Sequence, residues 1–144
     1  MDINQMQTIL QSNLKPNRYA HCLGVMDTAI ILAKRFGVDE EQAAIAKEKY
    51  DVHDTAILKA IASHTVGGAN MSKLDKIVYL ADMIEPHRKF EGLDKLRKQA
   101  MTQDLDTVMI SAFNQSILFI MRKGHTIHPY TVAARNEILL QREL

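Results

Sequence analysis

Apolar residues recur at intervals of three and four along almost the whole chain, which is the period of an α-helix. The clearest stripe contains Leu105, Val108, Met109, Ala112, Ser116, Ile117 and Ile120. No segment shows the sustained alternation of apolar and polar residues that is typical of a half-buried strand. A chain of 144 residues has room for one domain with a substantial core. The sequence therefore predicts a single all-α domain, a helical bundle that spans residues 1–144.

Capping residues, glycine and proline mark where these helices begin and end. Asn17 is predicted to cap a helix that ends at Gly37, where glycine accepts a left-handed backbone. Asp39 indicates a capping box for the next helix, and residues 72–75 (SKLD) indicate another. Pro129 lies where a first-turn proline would begin the last helix.

The charge balance and the cysteine content exclude several functional classes. The chain has 18 basic and 17 acidic residues, whereas a binder of duplex nucleic acid normally shows a basic excess. Residues 1–14 lack the regions of a signal peptide, and apolar runs such as residues 117–121 are far too short to cross a bilayer. Cys22 is the only cysteine, which favours a reducing compartment. We expect a cytoplasmic protein that binds neither duplex nucleic acid nor membranes.

Three polar residues, His21, His64 and Asp82, fall on helix faces that are otherwise apolar. A buried carboxylate without a partner costs several kcal/mol or takes up a proton. Two imidazoles and a carboxylate that converge from three helices would instead suit a divalent transition metal. The alternative is structural: each histidine is a hydrogen-bonded core residue, and Asp82 pairs with Lys76, Arg88 or a helix N-terminus. Periodicity alone does not separate these two interpretations.

Other polar positions are predicted to have no role in a site. Lys95, Arg97 and Lys98 are typical of a solvated helix face, and His87 is typical of an exposed loop.

Four segments, in order, resemble motifs of the YqeK-type family of the HD superfamily. Residues 18–25 (RYAHCLGV) match R-Y-x-H-x-x-G-V, and residues 60–67 (AIASHTVG) match A-I-x-x-H-T-x-G. Residues 75–86 (DKIVYLADMIEP) are similar to E-K-I-x-Y-L-A-D-x-I-E-P. Residues 127–136 (IHPYTVAARN) are similar to I-H-P-x-T-x-x-A-R-N. The resemblance covers most of the chain and implies an all-α bundle of the HD-domain type.

Members of that family are metalloenzymes that split diadenosine tetraphosphate symmetrically into two ADP. The resemblance implies that His21 and Asp82 are metal ligands, for iron or alternatively manganese. It implies that His21, His64 and Asp82 form the catalytic set, and that His64, Thr65 and Arg88 contact the substrate phosphates.

The resemblance also gives the last motif a role in binding the nucleotide, which would be ADP, GDP or a dinucleoside polyphosphate. The residues implied to lie beside this ligand are Ile127, His128, Pro129, Tyr130, Thr131 and Val132. A homodimer is a further expectation at the level of the family.

The sequence departs from the family at one place. The family has a His-Asp dyad and a further histidine between its first and fourth motifs. By comparison with the family, a stretch of a few dozen residues that would contain them is absent at the junction of Ala46 and Lys47. This is either a true deletion or a stretch omitted from the sequence. His53 and Asp54 could substitute for the dyad, but Asp54 is explained more simply as a helix N-cap. The hypotheses are therefore an active hydrolase and an inactive nucleotide-binding or scaffold protein of the same fold.

Overall fold

The structure is a computed structural model that describes residues 15–45 and 64–143, together with Ala60 and isolated positions in the first twelve residues. The described part contains no β-strand, so the prediction of an all-α protein is confirmed. Its six helices are α1 (Pro16–Phe36), α2 (Glu40–Ile45), α3 (Lys73–Ile84), α4 (Leu93–Thr102), α5 (Leu105–Arg122) and α6 (Pro129–Glu143).

The C-terminal end of α1 agrees with the sequence prediction, and the N-terminal end does not. Gly37 has φ 75° and its N–H bonds the carbonyl of Ala33, as expected of a glycine C-cap. The prediction that Asn17 is the N-cap is wrong. Proline at the first helical position begins α1 at Pro16, because its fixed φ suits a helix and its missing N–H costs nothing there. The side chain of Asn17 accepts from the N–H of Arg18 instead.

The predicted capping box at the start of α3 is confirmed in both of its bonds. The N–H of Asp75 donates to Oγ of Ser72 at 3.1 Å, and the N–H of Ser72 donates to Oδ2 of Asp75 at 2.8 Å. At α2 the carboxylate of Asp39 accepts from the N–H of Gln42. The predicted helix that Asp54 would cap lies largely outside the described residues, as do His53 and the Ala46 junction.

Helix α3 is the centre of the packing and contacts α1, α2, α4 and α5, while α6 packs on α5. The largest fully buried apolar side chains come from α1 and from α3 to α5, and they include Phe113, Met26, Leu32, Ile77 and Leu80. Burial of this apolar surface supplies most of the driving force for folding. No helix in the described ranges is long and apolar enough to span a membrane. The arrangement brings the middle of α1 beside the last turn of α3.

Candidate functional site

His21 on α1 and Asp82 on α3 face each other, although 61 positions separate them in the sequence. Nε2 of His21 lies 3.3 Å from Oδ1 of Asp82, and both side chains are partly buried, at 26% and 16% exposure. The apolar face predicted to carry His21 is buried, since Val25 and Ala29 are at most 1% exposed. Packing of α1 on α3 therefore brings together two of the three residues expected to converge.

Glu85 is a third member of this cluster, and the sequence reasoning missed it. Glu85 is completely buried, and its Oε1 accepts a hydrogen bond from Nδ1 of His21 at 2.9 Å. Oε2 accepts from the backbone N–H of His87 at 3.0 Å and from Nδ1 of the same residue at 2.9 Å. The prediction that His87 is only an exposed loop residue is therefore incomplete, because its ring bonds a buried carboxylate.

The carboxyl of Glu85 is held in its ionised form by these contacts. Burial alone would raise its pKa, but the hydrogen bonds from His21 and His87 outweigh that effect. The pKa of Glu85 consequently lies below its usual value of 4.5. An ionised acceptor at Nδ1 fixes the imidazole of His21 with Nε2 directed at Asp82.

The turn that follows α3 contains Glu85 and is hydrogen-bonded to Arg97 on α4. The N–H of Arg88 donates to the carbonyl of Glu85, and Pro86 occupies the second position of the turn, which proline favours. Arg97 donates to the carbonyl of Ile84 at 2.9 Å. It also donates to the carbonyls of Glu85 and Arg88, at 2.7 and 3.0 Å. The prediction that Arg97 belongs to a solvated face is wrong, because its guanidinium binds three backbone carbonyls.

The guanidinium of Arg88 contacts Asp82 and therefore lies at the site. Its Nε donates to the backbone carbonyl of Asp82 at 2.6 Å, and its Nη2 lies 3.2 Å from Oδ2 of the same residue. The bond to Oδ2 leaves Oδ1 of Asp82 facing His21. A guanidinium has five N–H donors, and two of them are used here.

The turn with His64 and Thr65 is joined to the start of α6. His64 is followed by a turn, and its Nε2 lies 3.3 Å from Oγ1 of Thr65. Thr131 is buried and its hydroxyl donates to the carbonyl of Val66 at 2.7 Å. Gly67 has φ 85° and a Cβ there would lie 3.0 Å from the ring of Phe113, so this position requires glycine. The substrate contacts implied for His64, Thr65 and Thr131 remain predictions.

The last motif forms an exposed turn that leads into α6. Ile127 is partly buried, whereas His128, Pro129, Tyr130 and Val132 are exposed. Nδ1 of His128 accepts from the N–H of Tyr130 at 3.1 Å, which caps the first turn of the helix. The two rings are also in edge contact, with centroids 4.8 Å apart.

Two donors of the cluster suit a transition metal. Nε2 of His21 and Oδ1 of Asp82 lie 3.3 Å apart, which is close enough for both atoms to bind one ion. With Nδ1 of His21 donating to Glu85, two lone pairs face each other, and a proton or a cation between them would stabilise the pair. Among the residues that the structure describes, no group of three or more His, Cys, Asp or Glu side chains is arranged to hold a metal ion.

Comparison with known proteins finds close likeness over almost the whole chain, although no family model matches it. The chain is 33% identical to the symmetrical bis(5'-nucleosyl)-tetraphosphatase of Halalkalibacterium halodurans, with 94% of this chain and 96% of that protein covered. It is 32% identical to the protein of the same name from Bacillus subtilis, with 94% and 97% covered. A crystal structure from Clostridium acetobutylicum, described as a predicted HD superfamily hydrolase involved in NAD metabolism, has a TM-score of 0.87 and 33% identity to this chain. That match covers 98% of each chain.

The alignment with the first relative is longer than the matched part of this chain. Ninety-four per cent of 144 residues is about 135, so about 45 of the 180 aligned positions have no counterpart here. The match nevertheless covers 94% of this chain and 96% of the relative. The identity and the coverage establish that the chain belongs to the family of symmetrical bis(5'-nucleosyl)-tetraphosphatases, within the HD superfamily of hydrolases.

Proposed function

We propose that the protein is a metal-dependent hydrolase of dinucleoside polyphosphates, which splits diadenosine tetraphosphate into two ADP. The observation that carries the proposal is the facing pair of His21 and Asp82, in a chain whose relatives have that enzyme name over nearly their full length. A tetraphosphate is highly anionic, and phosphoryl transfer needs mainly positioned cations and an oriented water.

His21 and Asp82 would hold a divalent metal, which we propose to be iron, with manganese as the alternative. One imidazole and one carboxylate are compatible with either ion. When bound, such a metal supplies a Lewis acid that activates water and polarises a phosphoryl oxygen. Glu85 and Arg88 each bond one of the two ligands, so both ligand side chains are held in place by the protein itself.

Three residues are proposed to receive the phosphates. Arg88 keeps further N–H donors beside Asp82, and its positive charge offsets the charge of a polyphosphate. His64 and Thr65 offer an imidazole and a hydroxyl on the turn that Thr131 holds against α6.

The exposed turn of residues 127–132 is proposed to contact the nucleoside, as ADP, GDP or part of a dinucleoside polyphosphate. Tyr130 is 60% exposed and carries an aromatic face on which a base can stack. The ring of His128 is fixed beside it by the bond to the Tyr130 N–H. Ile127, Pro129 and Val132 complete the proposed contact surface, and a short segment of this kind suits a small ligand rather than a duplex.

The activity is tested by product analysis on purified protein loaded with iron or manganese. With diadenosine tetraphosphate we expect ADP as the only nucleotide product, whereas asymmetric cleavage would give AMP and ATP. The variants His21→Ala and Asp82→Ala should lose turnover, and His125→Ala, an exposed histidine outside the cluster, should retain it. The proposal is wrong if the metal-loaded protein yields no ADP, or if both ligand variants remain fully active.

A second candidate function is nucleotide binding or scaffolding without turnover. It is favoured by the presence of only two proposed ligands among the described residues and by the aligned positions that lack a counterpart. We propose that these missing positions lie at residues 46 and 47, where the dyad is expected. An intact mass of 16.3 kDa, with ADP binding but no hydrolysis, would select this candidate over the enzyme.

We further propose a homodimer in a reducing, cytoplasmic setting. The single cysteine supports the setting. Near the end of α5, the side chains of Leu118, Phe119 and Met121 are 50%, 55% and 59% exposed, which supports an apolar interface with a second copy. Sedimentation should give twice the chain mass, and Phe119→Asp should give the monomer. A wild-type protein that sediments as a monomer at every concentration would exclude the dimer.

A further inference from the structure

We propose that Glu85 is the positioning residue of His21, and that Gly24 is a glycine because the Glu85 carboxylate occupies the space of its side chain. The inference deepens the proposed function, because it concerns one of the two residues that would hold the metal. It assigns roles to a buried acid and a helical glycine through the contacts that surround them.

The carboxylate of Glu85 accepts hydrogen bonds from two directions. Oε1 accepts a hydrogen bond from Nδ1 of His21 at 2.9 Å. Oε2 accepts hydrogen bonds from the backbone N–H and from Nδ1 of His87. A carboxylate that accepts from Nδ1 of a histidine selects the form with hydrogen on Nδ1 and leaves the Nε2 lone pair for a cation. Nε2 of His21 is the atom that lies 3.3 Å from Asp82.

Gly24 lies three residues after His21, on the same face of α1, and it leaves room for the carboxylate. A Cβ at this position would lie 2.2 Å from Oε2 of Glu85 and 2.9 Å from Nδ1 of His87. Such distances are far below van der Waals contact, so any side chain would displace the carboxylate. Alanine favours a helix interior more than glycine does, so local helix preference does not explain this residue.

The decisive measurement is the hydrogen position on His21 in the metal-free protein. Nitrogen spectra of protein with ¹⁵N-labelled histidine, at a pH where the ring is neutral, should show hydrogen on Nδ1 of His21. Glutamine at position 85 has one oxygen and one NH₂ group, so it cannot accept from both His21 and His87. The backbone N–H of His87 can only donate, so the amide oxygen should face His87 and the NH₂ group should face His21. Glu85→Gln should therefore shift His21 towards the form with hydrogen on Nε2.

The same variant should bind manganese about ten- to a hundred-fold more weakly, as is usual when the partner of a ligating histidine is changed. Glu137→Gln is the matched control, because Glu137 also accepts from a backbone N–H, that of Asn70, but on α6. It should leave both the spectrum of His21 and the manganese affinity unchanged. If Glu85→Gln keeps the wild-type spectrum and affinity, the proposal is overturned, whether or not the protein hydrolyses a dinucleotide.

A second pair of variants tests the same contact should Glu85→Gln prove too unstable for spectroscopy. Gly24→Ala alone should lower both stability and manganese affinity, because its Cβ displaces the carboxylate. In a Glu85→Ala background the carboxylate is gone and only the exposed ring of His87 has to shift, so adding Gly24→Ala should destabilise the protein far less than it does alone. Additive effects of the two substitutions, or wild-type affinity in Gly24→Ala, would contradict the proposal.

Discussion

The hydroxyl of Thr131 donates a 2.7 Å hydrogen bond to the carbonyl of Val66, although 65 positions separate the two residues. This bond joins the turn that contains His64 and Thr65 to the first turn of α6. The two segments proposed to contact the phosphates and the nucleoside are therefore joined by a partly buried hydrogen bond.

Replacing Thr131 with valine should lower the free energy of unfolding by about 1–3 kcal/mol, because the carbonyl of Val66 loses a buried donor. The KM for diadenosine tetraphosphate should rise more than kcat falls, since the two contacting segments would separate while His21 and Asp82 stay in place. Urea unfolding and steady-state kinetics measure these effects. Thr131→Ser keeps the hydroxyl and is the control, so equal stability of the two variants would contradict the prediction.

Arg97 should be one of the most sensitive charged positions of the chain. Arg97→Met removes donors from the carbonyls of Ile84, Glu85 and Arg88, and should lower the free energy of unfolding by about 2–4 kcal/mol. Lys95→Met, on an exposed position of the same helix, should change it by about 0.5 kcal/mol or less. The difference is measured by urea unfolding, and similar losses in the two variants would show that the carbonyl contacts contribute little.

Asp104 should make the stability of α5 depend on pH in the acid range. Its carboxylate caps the helix, and hydrogen bonds from Thr107, together with the charge of Arg142, hold its pKa below the usual value of 3.8. Because the folded pKa is the lower one, the unfolded chain binds more protons in this window. The stabilisation is therefore present above pH 3.8 and is lost as the pH falls through the folded pKa.

The control for this prediction is Asp104→Asn, since asparagine caps a helix as well as aspartate does but carries no charge. The difference in unfolding free energy between wild type and variant should favour the wild type at neutral pH and shrink as the pH falls below 3.8. Urea unfolding across this range measures it, and a difference that stays constant with pH would contradict the assignment.

Metal should stabilise the protein by mass action through His21 and Asp82. At a free manganese concentration of about 100 times Kd, the gain is about 2.7 kcal/mol, which raises Tm by about 5–10 °C for a chain of this size. Thermal unfolding with and without manganese gives this shift directly. His21→Ala and Asp82→Ala should each abolish most of it, whereas His125→Ala should not. A shift that survives in both ligand variants would place the ion elsewhere.

The sequence singled out the two proposed metal ligands because both residues interrupt apolar helical faces. His21 and Asp82 are conspicuous among Val25, Ala29 and Val78, and the packing of α1 on α3 brings them together. Their separation and orientation could not be predicted, since helical periodicity gives the face of a residue and not its partner.

Glu85 was missed because it follows the last apolar residue of α3 and precedes Pro86, where a helix end explains a polar residue equally well. Its partner His21 is 64 positions away, beyond any local pattern. One signal was present: Gly24 inside a 21-residue helix indicates a close approach by another group. Arg97 was missed for a similar reason, because a charge pattern along α4 does not reveal which side chain reaches back to a neighbouring turn.

The bond between the Tyr130 N–H and Nδ1 of His128 has a chemical consequence for whatever lies against that turn. A neutral imidazole whose Nδ1 accepts must carry its hydrogen on Nε2, so the outer edge of this ring can only donate. That edge therefore does not bind a cation, and it suits a ligand oxygen that accepts a hydrogen bond. The first turn of α6 thus sets which kind of ligand atom can bind beside His128.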